Sequence, residues 1–276
     1  MTPPVELKVD QPLSPALQRL GHTVLLSTEE IEFFEGIQNN IAHLERGDCL
    51  LKEGNDFECS YIIRAGWIMS YKITSQGRRQ IVSIYLPGDF LGLHVNFIRR
   101  SILSYDALTK VEVALVEPMR IIEIHQRFPI LASGLDWSAV RHLNILSEHN
   151  VSLGARSSEA RLLHLYLELW CRLMLVGEAS AQGFEMRLTQ EQTGDVLGLT
   201  PVHINRTIKK LSKDGLIEVE KRHVTFPDVR KAIHKADFDA AFLQAFRTAT
   251  IASRAGQEIE ERLDEVVRTA SELVNA

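Results

Sequence analysis

The segment Thr189–Leu211 restricts what this chain can fold into more than any other stretch of its 276 residues. Thr189 followed by Gln192 forms a capping box, which starts a short helix. Gly194 puts a minimal side chain in mid-helix, as a close crossing by a second helix requires. Gly198 can take the positive φ of a sharp turn. Thr200 then supplies an N-cap, and Pro201 fits the first helical position, where a missing N–H costs nothing. Ile204, Ile208 and Leu211 recur at helical spacing and define an inward face. Two helices joined by a turn of about three or four residues containing glycine make a helix-turn-helix. Thr207 stands where such sequences commonly bury Ile or Val, so that packing is expected to pass to Ile208.

The opposite face of the second helix carries Val202, His203, Asn205, Arg206, Lys209 and Lys210. A basic helical face is more often a solvated surface than a reader of nucleic acid. Its context changes the reading. Gly215–Val219 and His223–Phe226 form a hairpin pattern with Lys221 and Arg222 at its tip, which makes a wing. Arg206 can donate two parallel bonds to guanine, Asn205 can pair with adenine, and Val202 can only make apolar contact, as with a thymine methyl. His203 can donate to a base or a phosphate. Lys209, Lys210 and Lys213 suit phosphate contacts that fix position without reading sequence. The net charge of −5 is unfavourable to this reading, but its distribution is not. Residues 156–235 hold 13 Lys and Arg against 10 Asp and Glu, whereas residues 236–276 hold 4 against 8. A basic module between acidic parts permits local phosphate binding.

Residues 12–45 read as short helices, one begun by Pro15 and one by Ser27, whose N-cap is followed by Glu29 and Glu30. From 46 to 125 short β-rich runs alternate with glycine turns at Gly47, Gly54, Gly66, Gly77 and Gly88. The runs Tyr61–Ile63, Trp67–Ile73, Gln80–Leu86 and Val111–Val116 predict a jelly-roll β-barrel or sandwich. Beyond about 126 the chain turns helical. Val140, Leu143, Leu146, Asn150 and Leu153 form a stripe that either rests on the β-roll or lies on the two-fold axis of a homodimer. Arg156–Glu159 opens a new helix carrying Leu162, Leu165, Tyr166, Leu169 and Leu173, which ends near Gly177. Residues 178–183 read as a loop. The fold class is therefore α+β: a jelly-roll β-barrel (12–132), a long dimerisation helix (133–155), a winged helix-turn-helix (156–235) and a helical C-terminal extension (236–276). In the extension Phe238, Phe242, Phe246, Ile259, Leu263, Val266, Val267 and Leu273 recur at helical spacing. No apolar run approaches the roughly 20 residues of a membrane span, and the N-terminal MTPPVELKVD has no secretory pattern. A cytoplasmic location is expected. Three scattered cysteines do not make a disulfide framework.

The order of parts resembles the Crp/Fnr superfamily of bacterial transcription regulators. The resemblance rests on LTQEQTGDVLGLTPVHINRTIKKLSKDGLI (188–217), LPGDFLG (86–92) and ARLLHLYLEL (160–169). It implies a cyclic-nucleotide-binding-like roll and a homodimer on a pseudo-palindromic double-stranded DNA site, with half-sites about one helical turn apart. RNA polymerase becomes a partner if the protein activates. The family's base-reading positions fall on Pro201, Val202, Asn205 and Arg206, next to the N-cap Thr200. The terminal arginine is kept; Val202 replaces a glutamate and Pro201 an arginine. The effector positions fall on Gly92, Leu93, Arg100 and Ser101. Leu93 replaces the acid that binds ribose in members that take cyclic AMP, and Arg100-Ser101 sits about one position out of register. The cysteines are too few for an iron–sulfur cluster. His94, His125, His142 and His149 have no spacing that marks a haem ligand. No cofactor, haem and cyclic nucleotide included, is therefore expected. A metal enzyme built on the roll would need two or three converging His and a Glu, and 46–125 holds only His94 and His125. A small-ligand module without DNA is the remaining alternative.

Overall fold

The computed structural model describes residues 13–243 apart from Asn96 and Ile98. Pro12 and the extension from residue 244 onward, with Phe246, Ile259, Leu263, Val266, Val267 and Leu273, lie outside the described residues. Ser14 accepts the Leu17 N–H and caps α1 (Pro15–Gly21). Ser27 and Glu30 close a capping box on α2 (Thr28–Gly36). These two helices match expectation, but the helical reading of 12–45 fails at its end, where Ile41–Leu44 is a strand, β1. Four residues are too few to display either periodicity, and pairing with a distant strand decides the outcome.

The roll continues with β2 (Cys49–Leu51), β3 (Ser60–Ala65), β4 (Ile68–Ile73), β5 (Arg79–Tyr85), β6 (Phe90–Leu91), β7 (Ser104–Ala107) and β8 (Val111–Val116). Two antiparallel sheets result, in the orders β1-β8-β3-β6 and β2-β7-β4-β5. Neighbours in space are rarely neighbours in sequence, as a jelly roll requires. Alternation along β3 shows how the sheets divide the interior. Ile63 points between the sheets with Ile68, Tyr85, Tyr105 and Val113. Ile62 points outward into a second cluster with Leu17, Leu20, Phe34, Ile124 and Leu131. On the other sheet Met69, Ile81 and Ile84 face outward into a third cluster.

After α3 (Pro118–Arg127) comes the long α4 (Pro129–Ala155). It begins before the expected residue 133, because Pro129 occupies its first turn. Glu30 also accepts the Leu131 N–H at 3.1 Å and so satisfies a donor at the start of α4. Arg156 and Ser157 separate α4 from α5 (Ser158–Met174), and Ser157 caps α5. All five apolar residues expected on one face of α5 are buried. The predicted loop at 178–183 is instead the start of a hairpin, β9 (Ala179–Ser180) with β10 (Gly183–Glu185). Strands of two or three residues carry no alternation to read. The first helix of the helix-turn-helix is α6 (Gln190–Leu197) and the second is α7 (Pro201–Lys213). The wing is β11 (Glu218–Glu220) with β12 (His223–Thr225), and it joins β10 and β9 in a third sheet. The described chain closes with α8 (Val229–Ala236) and a 3-10 turn, Ala240–Leu243. The third cluster unites α5, α6, α7 and the wing with β4 and β5, so the C-terminal domain shares its core with the outer face of the roll.

Candidate nucleic-acid interface

Local chemistry sets the turn between α6 and α7. The Thr189 hydroxyl accepts the Gln192 N–H, and the Gln192 side chain accepts the Thr189 N–H. Gly198 adopts φ 66°, and the Thr200 hydroxyl accepts the His203 N–H at 3.2 Å. The close approach expected at Gly194 is made by turn backbone: a Cβ there would sit 2.4 Å from the Leu199 carbonyl oxygen. Ile204 and Leu211 are fully buried; each such burial stabilises by about 1.5–3 kcal/mol. The expected hand-over from Thr207 to Ile208 occurs only in part, because Ile208 packs on the core cluster without being buried. Thr207 is itself buried, and its hydroxyl donates to the His203 carbonyl at 2.9 Å, while Ile208 is half-buried. Satisfying the hydroxyl within the helix lets threonine take the buried place.

The other face of α7 stands in solvent. Thr200, Pro201, Val202, Arg206, Lys209, Lys210 and Lys213 are exposed, and His203 and Asn205 are half-exposed. Val202, 70% exposed, is a large apolar side chain standing mostly in solvent. Asn205 Nδ2 lies 3.4 Å from Gln190 Oε1 at the start of α6. Two expected cations already have protein partners. Lys210 pairs with Glu159 of α5, whose other oxygen holds Lys235 at 3.1 Å. Arg222 donates to the Met186 and Arg187 carbonyls at 3.2 and 3.0 Å, which ties the wing to the connection between β10 and α6. Lys221 sits exposed at the wing tip with φ 56°.

The roll holds this module directly. Gln80 of β5 donates to the Asp195 and Val196 carbonyls at 2.7 and 3.1 Å, and Arg79 Nε meets Asp195 Oδ2 at 2.7 Å. A buried charge network lies beneath, and the sequence reading missed it. Asp89, in the turn after β5, accepts from Arg19 of α1 at 2.6 Å, Arg141 of α4 at 2.7 Å and Arg172 of α5 at 2.7 Å. Burial alone would push the Asp89 carboxyl up; the three guanidiniums reverse this and hold it far below the usual range. Arg172 also pairs with Glu168 at 2.7 Å, and Glu168 accepts from His149 at 2.7 Å. Burial opposes ionisation of Glu168, but His149 and Arg172 bring its pKa down to about 2. Only the LPGDF turn hinted at this node, since the arginines are far apart in sequence.

The effector positions are scattered in character. Leu93 is partly buried against the helical cluster. Arg100 is exposed, in an isolated bridge with Asp56. Ser101 is buried, and its hydroxyl donates to the Leu103 carbonyl at 2.6 Å. Phe57 crowds Gly92: a Cβ there would sit 2.9 Å from the ring. Rings of Phe57, Tyr61, Tyr85 and Tyr105 pack with centroids 5.8–6.4 Å apart inside the roll. His142 stacks on Tyr85 at 5.1 Å. His125 meets the Ile121 carbonyl at 2.9 Å, and His94 is exposed at the edge of Phe57. Among the described residues no group of three or more His, Cys, Asp or Glu is placed to hold a metal, and no helix is long and apolar enough to cross a membrane.

A β-roll joined by a long helix to a winged helix-turn-helix with an exposed basic recognition helix defines a DNA-binding regulator. Comparison with known proteins specifies it further. The Crp-like helix-turn-helix domain family matches residues 160–231, and the cyclic nucleotide-binding domain family matches residues 41–127. The nitrogen fixation regulation protein FixK of Bradyrhizobium diazoefficiens is 29% identical over 194 residues, 70% of this chain and 80% of that protein. The transcriptional regulatory protein btr of Bordetella pertussis is 26% identical over 213 residues, 76% of this chain and 88% of that protein. The solved structure of FixK2 from Bradyrhizobium japonicum superposes with a TM-score of 0.65 at 25% identity, covering 73% of this chain and 98% of that one. The chain belongs to the Crp/Fnr superfamily of transcription regulators. It binds DNA through its helix-turn-helix, and its relatives are regulators rather than enzymes.

Proposed function

We propose that two copies of this chain pair along α4 and read a pseudo-palindromic promoter site, each placing α7 in a major groove. The observation that carries the reading is the division of α7: Ile204, Thr207 and Leu211 are buried while Val202, Arg206 and Lys209 face solvent. Arg206 reads a guanine through O6 and N7, Asn205 an adenine, and Val202 packs on a thymine methyl. Thr200, Pro201 and His203 lie at the positive end of the helix, where base edges and phosphate are nearest. Lys209, Lys210 and Lys213 meet phosphate, Lys210 by leaving Glu159. Lys221 and Arg222 carry the wing to the flanking backbone. Pairing is supported by α4, whose inner face holds Leu131, Leu135, Arg141 and Ile145 while Val140, Leu143 and Val151 are exposed at 54%, 61% and 47%. Apolar side chains along one helix face suit a two-fold contact.

The roll does not fit a cyclic nucleotide. Leu93 offers no acceptor for a ribose hydroxyl, Ser101 is bonded to Leu103, and the rings of Phe57, Tyr85 and Tyr105 pack on one another between the sheets. His142 and His149 are engaged by Tyr85 and Glu168, which disfavours either as a haem ligand. The protein would act in the cytoplasm, and would touch RNA polymerase where it activates. Selection of bound sequences from a random double-stranded pool tests the reading. The expected result is an inverted repeat, bound by a dimer with steep salt dependence. Binding without sequence preference, or no binding, would overturn it.

A further inference from the structure

The residues that follow α8 lie beyond the matched families, yet their start is firmly seated. Asp237 ends α8 at φ 51°, and the Phe238 N–H returns to the Ile233 carbonyl at 3.1 Å. This reversal brings the chain to the two-residue joint between α4 and α5. There Phe238 meets the His164 ring edge-on at 4.9 Å, and Phe242 stacks on it at 5.6 Å and 18°. Phe238, Leu243 and His164 are buried. Asn144 of α4 lies 3.5 Å from the Phe242 carbonyl. Arg156, in the joint itself, donates to the Asp237 carbonyl at 3.3 Å, to Glu148 at 2.8 Å and to Ser152 at 2.9 Å. Glu148 of α4 also approaches His164 Nε2 at 3.3 Å. The segment thus binds the long helix, the joint and the first helix of the winged domain at once.

We propose that Asp237–Leu243 is a strap that fixes the angle between α4 and the winged helix-turn-helix, and so sets the spacing of the two recognition helices in the dimer. The proposal rests on the DNA reading above. Its residues are positioning residues, which act through α4, Arg156 of the joint and His164 of α5. A joint of two residues has little stiffness of its own, since rotation about a few backbone bonds re-aims everything beyond it. Two aromatic rings on His164 and a guanidinium shared between helix and strap remove that freedom. Without the strap, His164 would lose both of its ring contacts, and Arg156 would keep Glu148 and Ser152 but lose its link to the chain beyond α8.

The test uses the full-length chain with Phe238→Ala/Phe242→Ala, and Phe242→Leu as a milder variant that keeps volume but loses the stack should the double variant not fold. Binding is measured on the selected DNA site and on the same site with one base pair added to or removed from its centre, a displacement of about 3.4 Å. Hydrogen exchange of the amides at Ala155–Glu159 is measured without DNA. The native chain should prefer its selected spacing. The strap variants should remain dimeric, lose about tenfold in affinity on that spacing, discriminate less between spacings, and exchange faster at the joint. Unchanged discrimination, or an equal loss on all three spacings, would overturn the strap, as would unchanged exchange. If the native chain binds no DNA the functional reading fails by itself, and joint exchange alone then decides whether the strap exists.

Discussion

Arg206 and Gly194 show what single side chains determine on the two faces of this motif. Arg206 is exposed one turn into α7, and its guanidinium is the group there whose fork matches a guanine edge. Arg206→Ala should cost about 1–3 kcal/mol on the selected site and relax choice at one base pair per half-site. Equal loss on every sequence would show a phosphate contact instead, and a binding panel with each base varied separates the two. Gly194 is constrained from within. A methyl group there meets the Leu199 carbonyl, a backbone atom that cannot rotate away. Gly194→Ala should therefore lower stability by about 1–3 kcal/mol, seen as a lower Tm, with DNA binding weakened because the turn aims α7. These two positions, with the caps at Thr189 and Thr200, were readable in the sequence because capping and turn chemistry are local. The roles of Thr207 and Lys210 were not. Whether Thr207 is buried depends on its own hydroxyl finding a carbonyl, and Lys210 is claimed by Glu159, which is far away in sequence.

Among the elements, legibility follows length, except in the wing, whose three-residue strands β11 and β12 are marked by the Gly215 turn and the basic tip. The helices α4, α5 and α7 and the strands β3, β4, β5 and β8 are long enough to show a period. β1, β2, β6, β7, β9 and β10 have two to four residues each, and what makes them strands is a partner found elsewhere in the chain. The stripe on α4 is legible from its spacing, but spacing does not say what covers it. The structure divides it: Leu146 and Leu153 are half-buried, while Val140, Leu143 and Asn150 remain exposed. Exposed apolar residues along one helix have a direct test. Val140→Glu with Leu143→Glu should place like charges across a two-fold contact, convert the dimer to a monomer in sedimentation, and weaken operator binding by more than about tenfold, since one half-site alone forfeits the linked second event. A monomer that forms regardless of the substitution would remove the pairing along α4. Both positions are solvent-facing in the single chain, so the fold itself should tolerate the change.

The assembly of parts hangs on groups that no local pattern announces. Asp89 joins α1, α4 and α5 to the roll, and only the folded chain brings its arginines together. Nearby histidines make this junction sensitive to acid. Burial pulls His142 from 6.5 to about 4, and pulls His164 likewise to about 4 despite Glu168 and Glu148. Both are neutral in the folded protein, whereas the unfolded chain takes up protons below about pH 6.5. Their stabilisation is complete above 6.5 and is lost as pH falls toward 4. His149 runs the other way: burial opposes its charge, but Glu168 overrides this and raises its pKa. Its contribution is full below 6.5 and fades as pH rises through the raised value. Two groups outweigh one. Stability should drop by about 2 kcal/mol between about pH 7 and pH 5, and urea denaturation at both values checks it; a flat profile would contradict the assignment. A different acid, Glu159, bears on the DNA itself, because its carboxylate already holds Lys210 and Lys235. For Lys210, docking on a phosphate exchanges one anion for another: the phosphate still releases its condensed cation, but the lost Glu159 contact offsets part of the gain. Lys209 and Lys213, which have no carboxylate partner among the described residues, meet no such cost. Glu159 is in that sense an internal competitor of the operator, carried by every copy of the chain and diluted by none.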